Sequence, residues 1–137
     1  MPITGKCYCG EVEWTIIGKV DFTSNCHCKD CQTVSGSAYG TTSLMMYDPH
    51  GVEFKGSPKV IHGFSDAGNT TQRGFCGNCG TVLFNHVSEG KEDEHWAIRT
   101  GCMVGKPPKI DKEIYMKSKP VWVPSPKTAL KFDGMPH

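Results

Sequence analysis

The chain has 137 residues, with fifteen Lys and Arg against fourteen Asp and Glu for a formal charge of +1, and eight cysteines. That length suits one domain, residues 1–137, able to bury a core without obligatory disulfides. The near-neutral charge excludes a field of one sign that would draw the chain to nucleic acid or to an anionic membrane.

No apolar run approaches the roughly 18 to 20 residues of a membrane-spanning helix, and Met1 to Lys6 lacks the basic-then-apolar pattern of a secretory signal. A soluble, unprocessed cytoplasmic protein is expected. In a reducing compartment, clustered cysteines bind metal or do chemistry instead of pairing as disulfides.

Sixteen glycines and nine prolines interrupt the chain, and no segment of ten or more residues keeps apolar residues at helical spacing, so long helices are excluded. Taken in order, Val12, Trp14 and Ile16 alternate within Glu11 to Ile17, as in a half-buried strand. Asp30 to Val34 suits one turn of helix after the central cysteines. Strand-prone runs follow at Thr41 to Tyr47, Val52 to Lys55, Lys59 to Phe64, Thr70 to Phe75, Thr81 to Val87 and Trp96 to Thr100. Ser88 to Glu94 and Gly101 to Lys112 read as loops placed to border a site. From Lys117 to the end, four prolines with Trp122 and Phe132 predict an extended strap, 117–137, pinned by its aromatics. The fold class is therefore mostly β, built of short strands.

Three cysteine clusters stand out: Cys7-Tyr8-Cys9-Gly10, Cys26-His27-Cys28-Lys29-Asp30-Cys31 and Phe75-Cys76-Gly77-Asn78-Cys79-Gly80. The first and last each offer two thiolates on a turn closed by glycine, which tolerates positive φ and lets backbone N–H groups approach the sulfurs. Together Cys7, Cys9, Cys76 and Cys79 complete a closed tetrahedral zinc site that staples distant segments. The middle cluster supplies three thiolates, and a zinc held by three protein ligands keeps a fourth position for water or substrate. Its closure by His27, Cys102 or His86 is the alternative, and would make both zincs structural. Cys102 reads as a small buried residue. His27 is expected to point away from the metal, with His62, His86 and His95 ordinary strand residues. Seven thiolates and two divalent ions would take the net charge from +1 to about −2, further against a polyanionic partner.

Gly5-Lys6-Cys7-Tyr8-Cys9-Gly10, the central Cys26 to Cys31 run, Ser35-Gly36-Ser37-Ala38-Tyr39 and Phe75 to Thr81 occur in an order that resembles the glutathione-dependent formaldehyde-activating enzyme family, which includes centromere protein V. The resemblance spans about residues 3–123, with Glu113-Ile114-Tyr115 and Pro120-Val121-Trp122 as its C-terminal part. It implies a β-tent fold of short antiparallel strands, a structural zinc at Cys7, Cys9, Cys76 and Cys79, and a second zinc at Cys26, Cys28 and Cys31. It also implies a carbon–sulfur lyase that, run in the other direction, joins formaldehyde and glutathione into S-hydroxymethylglutathione.

The chain departs from that pattern at Gln32, where relatives often carry a basic residue, and at Cys102-Met103, where an acidic pair is common. For a glutathione carboxylate, Ser35, Lys29 and Arg73 are the candidates. A zinc enzyme of specialised metabolism, with a lyase, cyclase or isomerase outcome, is the neighbouring alternative. A zinc-stabilised binding module is the non-catalytic one, though no long basic arm favours it. The sequence leaves a homo-oligomer open.

Overall fold

The computed structural model describes residues 2–46, 48, 50–64, 68, 70–87 and 94–136. The loop expected over Ser88 to Glu94 lies outside the described residues except for Glu94, as does Tyr47. The rest is mostly β, as the sequence predicts. In chain order come β1 (Ile3–Lys6), β2 (Glu13–Ile16), β3 (Phe22–Cys26), α1 (Lys29–Ser35), β4 (Gly40–Met46), β5 (Val52–Lys55), β6 (Lys59–Phe64), β7 (Thr70–Phe75), β8 (Val82–Val87), β9 (His95–Arg99), β10 (Lys112–Ile114) and β11 (Leu130–Lys131).

Strands β1, β2 and β5 pair in that order as a small antiparallel sheet, and the other eight form one sheet in the order β11-β10-β3-β4-β9-β8-β7-β6. The larger sheet is mixed where an all-antiparallel one was expected: β10 runs parallel to both β3 and β11. A single bridge between Gly5 and Met103 ties the small sheet to the turn that follows β9.

Side chains alternate across the larger sheet, and the register sorts them. Phe22 lies opposite Leu44, and Leu44 opposite Ala97, so these three share one face. Met45, Ile98 and Phe84 share the other. That second face packs with Val12 and, from the small sheet, Trp14 and Ile16 into the main core. Trp14, Met45, Leu83 and Ile98 are essentially inaccessible there, and large side chains so buried contribute roughly 1.5–3 kcal/mol each. The first face carries two smaller clusters, Phe22 with Leu44 and Ala97, and Cys26 with Cys31 and Ile114.

Strand β3 was not expected, and its reason is burial. All five of its residues are buried, so apolar and polar positions do not alternate. Its polar side chains pair across the sheet instead: Thr23 Oγ1 lies 2.8 Å from Ser43 Oγ, and Thr41 donates to Asn25 Oδ1 at 3.0 Å. The tail also corrects its expectation. Trp122 is 73% exposed and pins nothing, whereas Phe132 and Met135 pack beside Cys26, Cys31 and Ile114. Backbone bonds hold the strap, Phe132 N–H to the Glu113 carbonyl at 2.9 Å and Tyr115 N–H to the Gly134 carbonyl at 3.2 Å.

Candidate metal centres

The first pair of cysteines follows β1 and the last pair follows β7, both on tight turns. Gly10 and Gly80 close these turns at φ 83 and 79, a left-handed conformation that side chains resist. Their N–H groups bond back to the Cys7 and Cys76 carbonyls at 3.1 and 2.8 Å. The N–H groups that reach sulfur belong to Val12, 3.3 Å from Cys7 Sγ, and to Cys79, 3.5 Å from Cys76 Sγ.

The four Sγ atoms of Cys7, Cys9, Cys76 and Cys79 lie within 4.8 Å of one another. Cys9 Sγ is 3.6 Å from Cys7 Sγ and 3.7 Å from Cys76 Sγ. A disulfide needs about 2.05 Å, whereas the edge of a tetrahedron of thiolates around a zinc with ~2.3 Å bonds is about 3.8 Å. All eight cysteines are free, and these four can hold a metal ion. A hydrogen bond from the Thr81 hydroxyl, 3.1 Å away, leads the effects that bring the Cys79 thiol down to about 5. Cys102 sits next to this cluster as a core residue: its Sγ faces the Val82 carbonyl at 3.5 Å, and burial pushes its thiol up.

The second cluster is assembled where β3 runs into α1. Cys26 ends the strand, Cys28 caps the helix by accepting from the Cys31 N–H at 3.3 Å, and Cys31 is the buried residue of the helix. Their sulfurs also lie within 4.8 Å of one another. Among the described residues no other cysteine, histidine or carboxylate joins the group. The possible fourth ligands are engaged elsewhere. His27 Nε2 is 3.0 Å from Glu113 Oε1, both side chains fully buried, and His86 Nε2 is 3.2 Å from Glu94 Oε1.

Neighbouring groups fix this cluster and its charge. Gln32 donates to the His27 carbonyl at 2.8 Å and to the Ser118 carbonyl at 3.1 Å, holding the loop to the tail. Hydrogen bonds from Cys26 and Cys28 bring the Cys31 thiol down to about 3, aided by the positive charges of Arg99 and Arg73 against the effect of burial. Cys26 is pushed the opposite way by its hydrogen bonds to Cys28 and Cys31. Cys28 is raised as well, so Cys31 is the one thiol of the three whose surroundings favour the thiolate.

Of the three anion-binding candidates, Arg73 alone is turned toward this region, its Nη2 3.4 Å from Asp30 Oδ2 on α1. Lys29 is exposed on the helix. Ser35 Oγ donates to the Cys31 carbonyl at 2.6 Å, so its hydroxyl finishes the helix. Sequence reasoning missed Glu113 and Arg99, both buried. The signal for Arg99 was present: it lies two residues from Ala97 in a strand, so it shares the inward face of that apolar residue.

Residues 2–118 match the family model described as glutathione-dependent formaldehyde-activating enzyme. No curated protein matches the chain. Among solved structures the chain is similar to the crystal structure of a Rhodobacter sphaeroides protein, a structural-genomics target, at 15% identity and a TM-score of 0.56. The alignment covers 77% of this chain and 91% of that one. At that identity the likeness concerns the fold.

Proposed function

Because the chain belongs to the glutathione-dependent formaldehyde-activating enzyme family, we propose that it is a zinc-dependent carbon–sulfur lyase acting on thiol adducts of small carbonyl compounds, with glutathione as the reference thiol. The observation that carries this reading is the contrast between the two clusters: four converging sulfurs that complete a tetrahedron, and three that leave one corner unfilled by any described residue. In this reading Cys7, Cys9, Cys76 and Cys79 hold a structural zinc, and Cys26, Cys28 and Cys31 hold the working one. A zinc bound there supplies Lewis acidity and a coordination position at which a thiol is held as thiolate.

The chain's own part is to bind and orient. Cys26 and Cys31 are buried on the sheet side while Cys28 is half-exposed, which puts the approach for substrate on the Cys28 side. Gln32 and the His27–Glu113 pair keep the loop from shifting when a ligand enters. In the synthetic direction the thiol sulfur bonds to the carbonyl carbon and the thiol proton passes to the carbonyl oxygen; the lyase direction reverses both. No electron acceptor is required. A reducing cytoplasm, which keeps the substrate thiol and the protein's cysteines reduced, is the proposed setting.

The test is formation of S-hydroxymethylglutathione from formaldehyde and glutathione, followed by NMR against the uncatalysed rate. The zinc-loaded protein should accelerate it, and Cys28→Ser should lose more than the about 100-fold that removal of a supporting partner costs. A two-zinc protein that binds glutathione but accelerates nothing would point to a binding module instead.

A further inference from the structure

Arg99 ends β9 beneath the three-cysteine centre and is only 7% exposed, yet its Nε and Nη1 find no hydrogen-bond acceptor, the sulfur of Cys31 included. Arg73, whose side chain is 13% exposed, leaves its Nη1 equally unpartnered while Nη2 reaches the half-exposed Asp30. Buried guanidinium groups are ordinarily paired, because their N–H donors lose water and gain nothing in return. Two positive charges here face one partly solvated carboxylate and the sulfurs of the centre, yet neither Nη1 has a hydrogen-bond acceptor.

Register places both on the face that carries the centre. Arg73 lies opposite Asn85, Asn85 opposite Ala97, and Arg99 follows Ala97 by two residues along β9. Across the next strand Arg99 pairs with Thr42, two residues from Gly40, which in turn pairs with Cys26. The point where a side chain at position 40 would begin lies 2.0 Å from Arg99 Nη1 and 3.4 Å from Cys31 Cβ. The guanidinium therefore fills the space over Gly40, directly beside the ligand cysteine.

We propose that Arg99 and Arg73 form a carboxylate-binding subsite beside the Cys26, Cys28 and Cys31 centre, so that the carbonyl partner of the reaction is a small oxo acid whose carboxylate adjoins its carbonyl carbon. This rests on the lyase reading and narrows it. A carboxylate accepts two parallel N–H bonds from a guanidinium fork, which fixes the adjacent carbonyl carbon near the sulfur held at the metal. As the thiol sulfur bonds to that carbon, the thiol proton goes to the carbonyl oxygen. The hydroxyl so formed has an acceptor nearby in Asn85, whose buried Oδ1 receives no donor.

Two measurements on the zinc-loaded protein test the subsite. In the first, unreactive oxamate, which carries a carboxylate beside a carbonyl, is titrated while the Arg99 Nε–H resonance is followed. The signal should shift, and propionamide, of similar size and uncharged, should leave it in place. In the second, glutathione addition to glyoxylate is compared with addition to acetaldehyde. Glyoxylate should be favoured at least about tenfold in kcat/KM, and Arg99→Gln and Arg73→Gln should each shrink that preference while zinc content stays at the wild-type value. An Arg99 resonance that ignores oxamate overturns the subsite, as does a preference unchanged in both variants. Loss of zinc from Arg99→Gln also overturns it, because the arginine would then serve to balance the thiolate charge. If oxamate shifts the resonance and neither carbonyl compound reacts, the subsite stands and the lyase reading falls.

Discussion

Position 40 shows how one missing side chain shapes the site. Alanine there would place its Cβ against the Arg99 guanidinium, so Gly40→Ala is expected to cost about 1–3 kcal/mol through overpacking and to displace the arginine. A urea titration and the Arg99 Nε–H shift report the two effects separately. Glu113 is a second such residue. Burial works against its ionisation, but the Ser125 hydroxyl and the His27 ring outweigh it and hold its carboxyl below the usual range. A carboxyl lowered on folding adds stability that is complete above its unfolded value, about 4.3, and is lost as pH falls through the lower folded one. Glu113→Gln should therefore flatten the acid limb of the stability profile, measured by thermal melts from neutrality downward. Glu113→Ala, which leaves His27 buried without its partner, should cost roughly 3–5 kcal/mol at neutral pH. Cysteine spacing made all seven thiols legible in the sequence. Arg99 was legible only through its spacing from Ala97, and Glu113 was not legible at all, because the short strand that buries it carries no pattern of its own.

Elements reveal the same limit differently. The runs at Val52–Lys55, Lys59–Phe64 and Thr70–Phe75 agree end to end with β5, β6 and β7, since turn residues bracket each one. Strand β3, buried on both faces, carries no alternation to read. Strand β10 is only three residues long and exists because β3 and β11 flank it. Helix α1, seven residues long, is too short to persist alone, so its order depends on the cysteine cap and on the tail that covers it. Phe132 is the side chain through which the tail does this. Phe132→Ala should cost about 1–2 kcal/mol for a half-buried aromatic. It should also speed zinc release from the three-cysteine centre to a chromophoric chelator, leaving the four-cysteine centre unchanged.

Across the whole molecule the two centres do different work. Cys7 and Cys9 follow a strand of the small sheet and Cys76 and Cys79 follow a strand of the large one, so that cluster joins the two sheets. Cys26, Cys28 and Cys31 belong to one stretch of chain and bridge nothing distant. Metal analysis should give near two zincs per chain. Cys28→Ala should lose one and remain folded, while Cys79→Ala should abolish the cooperative unfolding transition seen by near-UV circular dichroism. That the first and last clusters would meet followed from ligand counting, because two thiolates each make half a tetrahedron. What the sequence could not supply was the plane between the centres.

That plane is the large sheet. Cys7 and Cys76 pack into the core on one side with Met45 and Ile98, and Cys26 and Cys31 lie on the other with Ile114. Metal ions held at the two clusters would thus be addressable one at a time. A chelator strong enough to take a metal from three thiolates but not from four would yield a folded, half-loaded protein. Refilled with cobalt, that protein would carry a chromophore at the working site alone, and its ligand-field spectrum would record every molecule that enters.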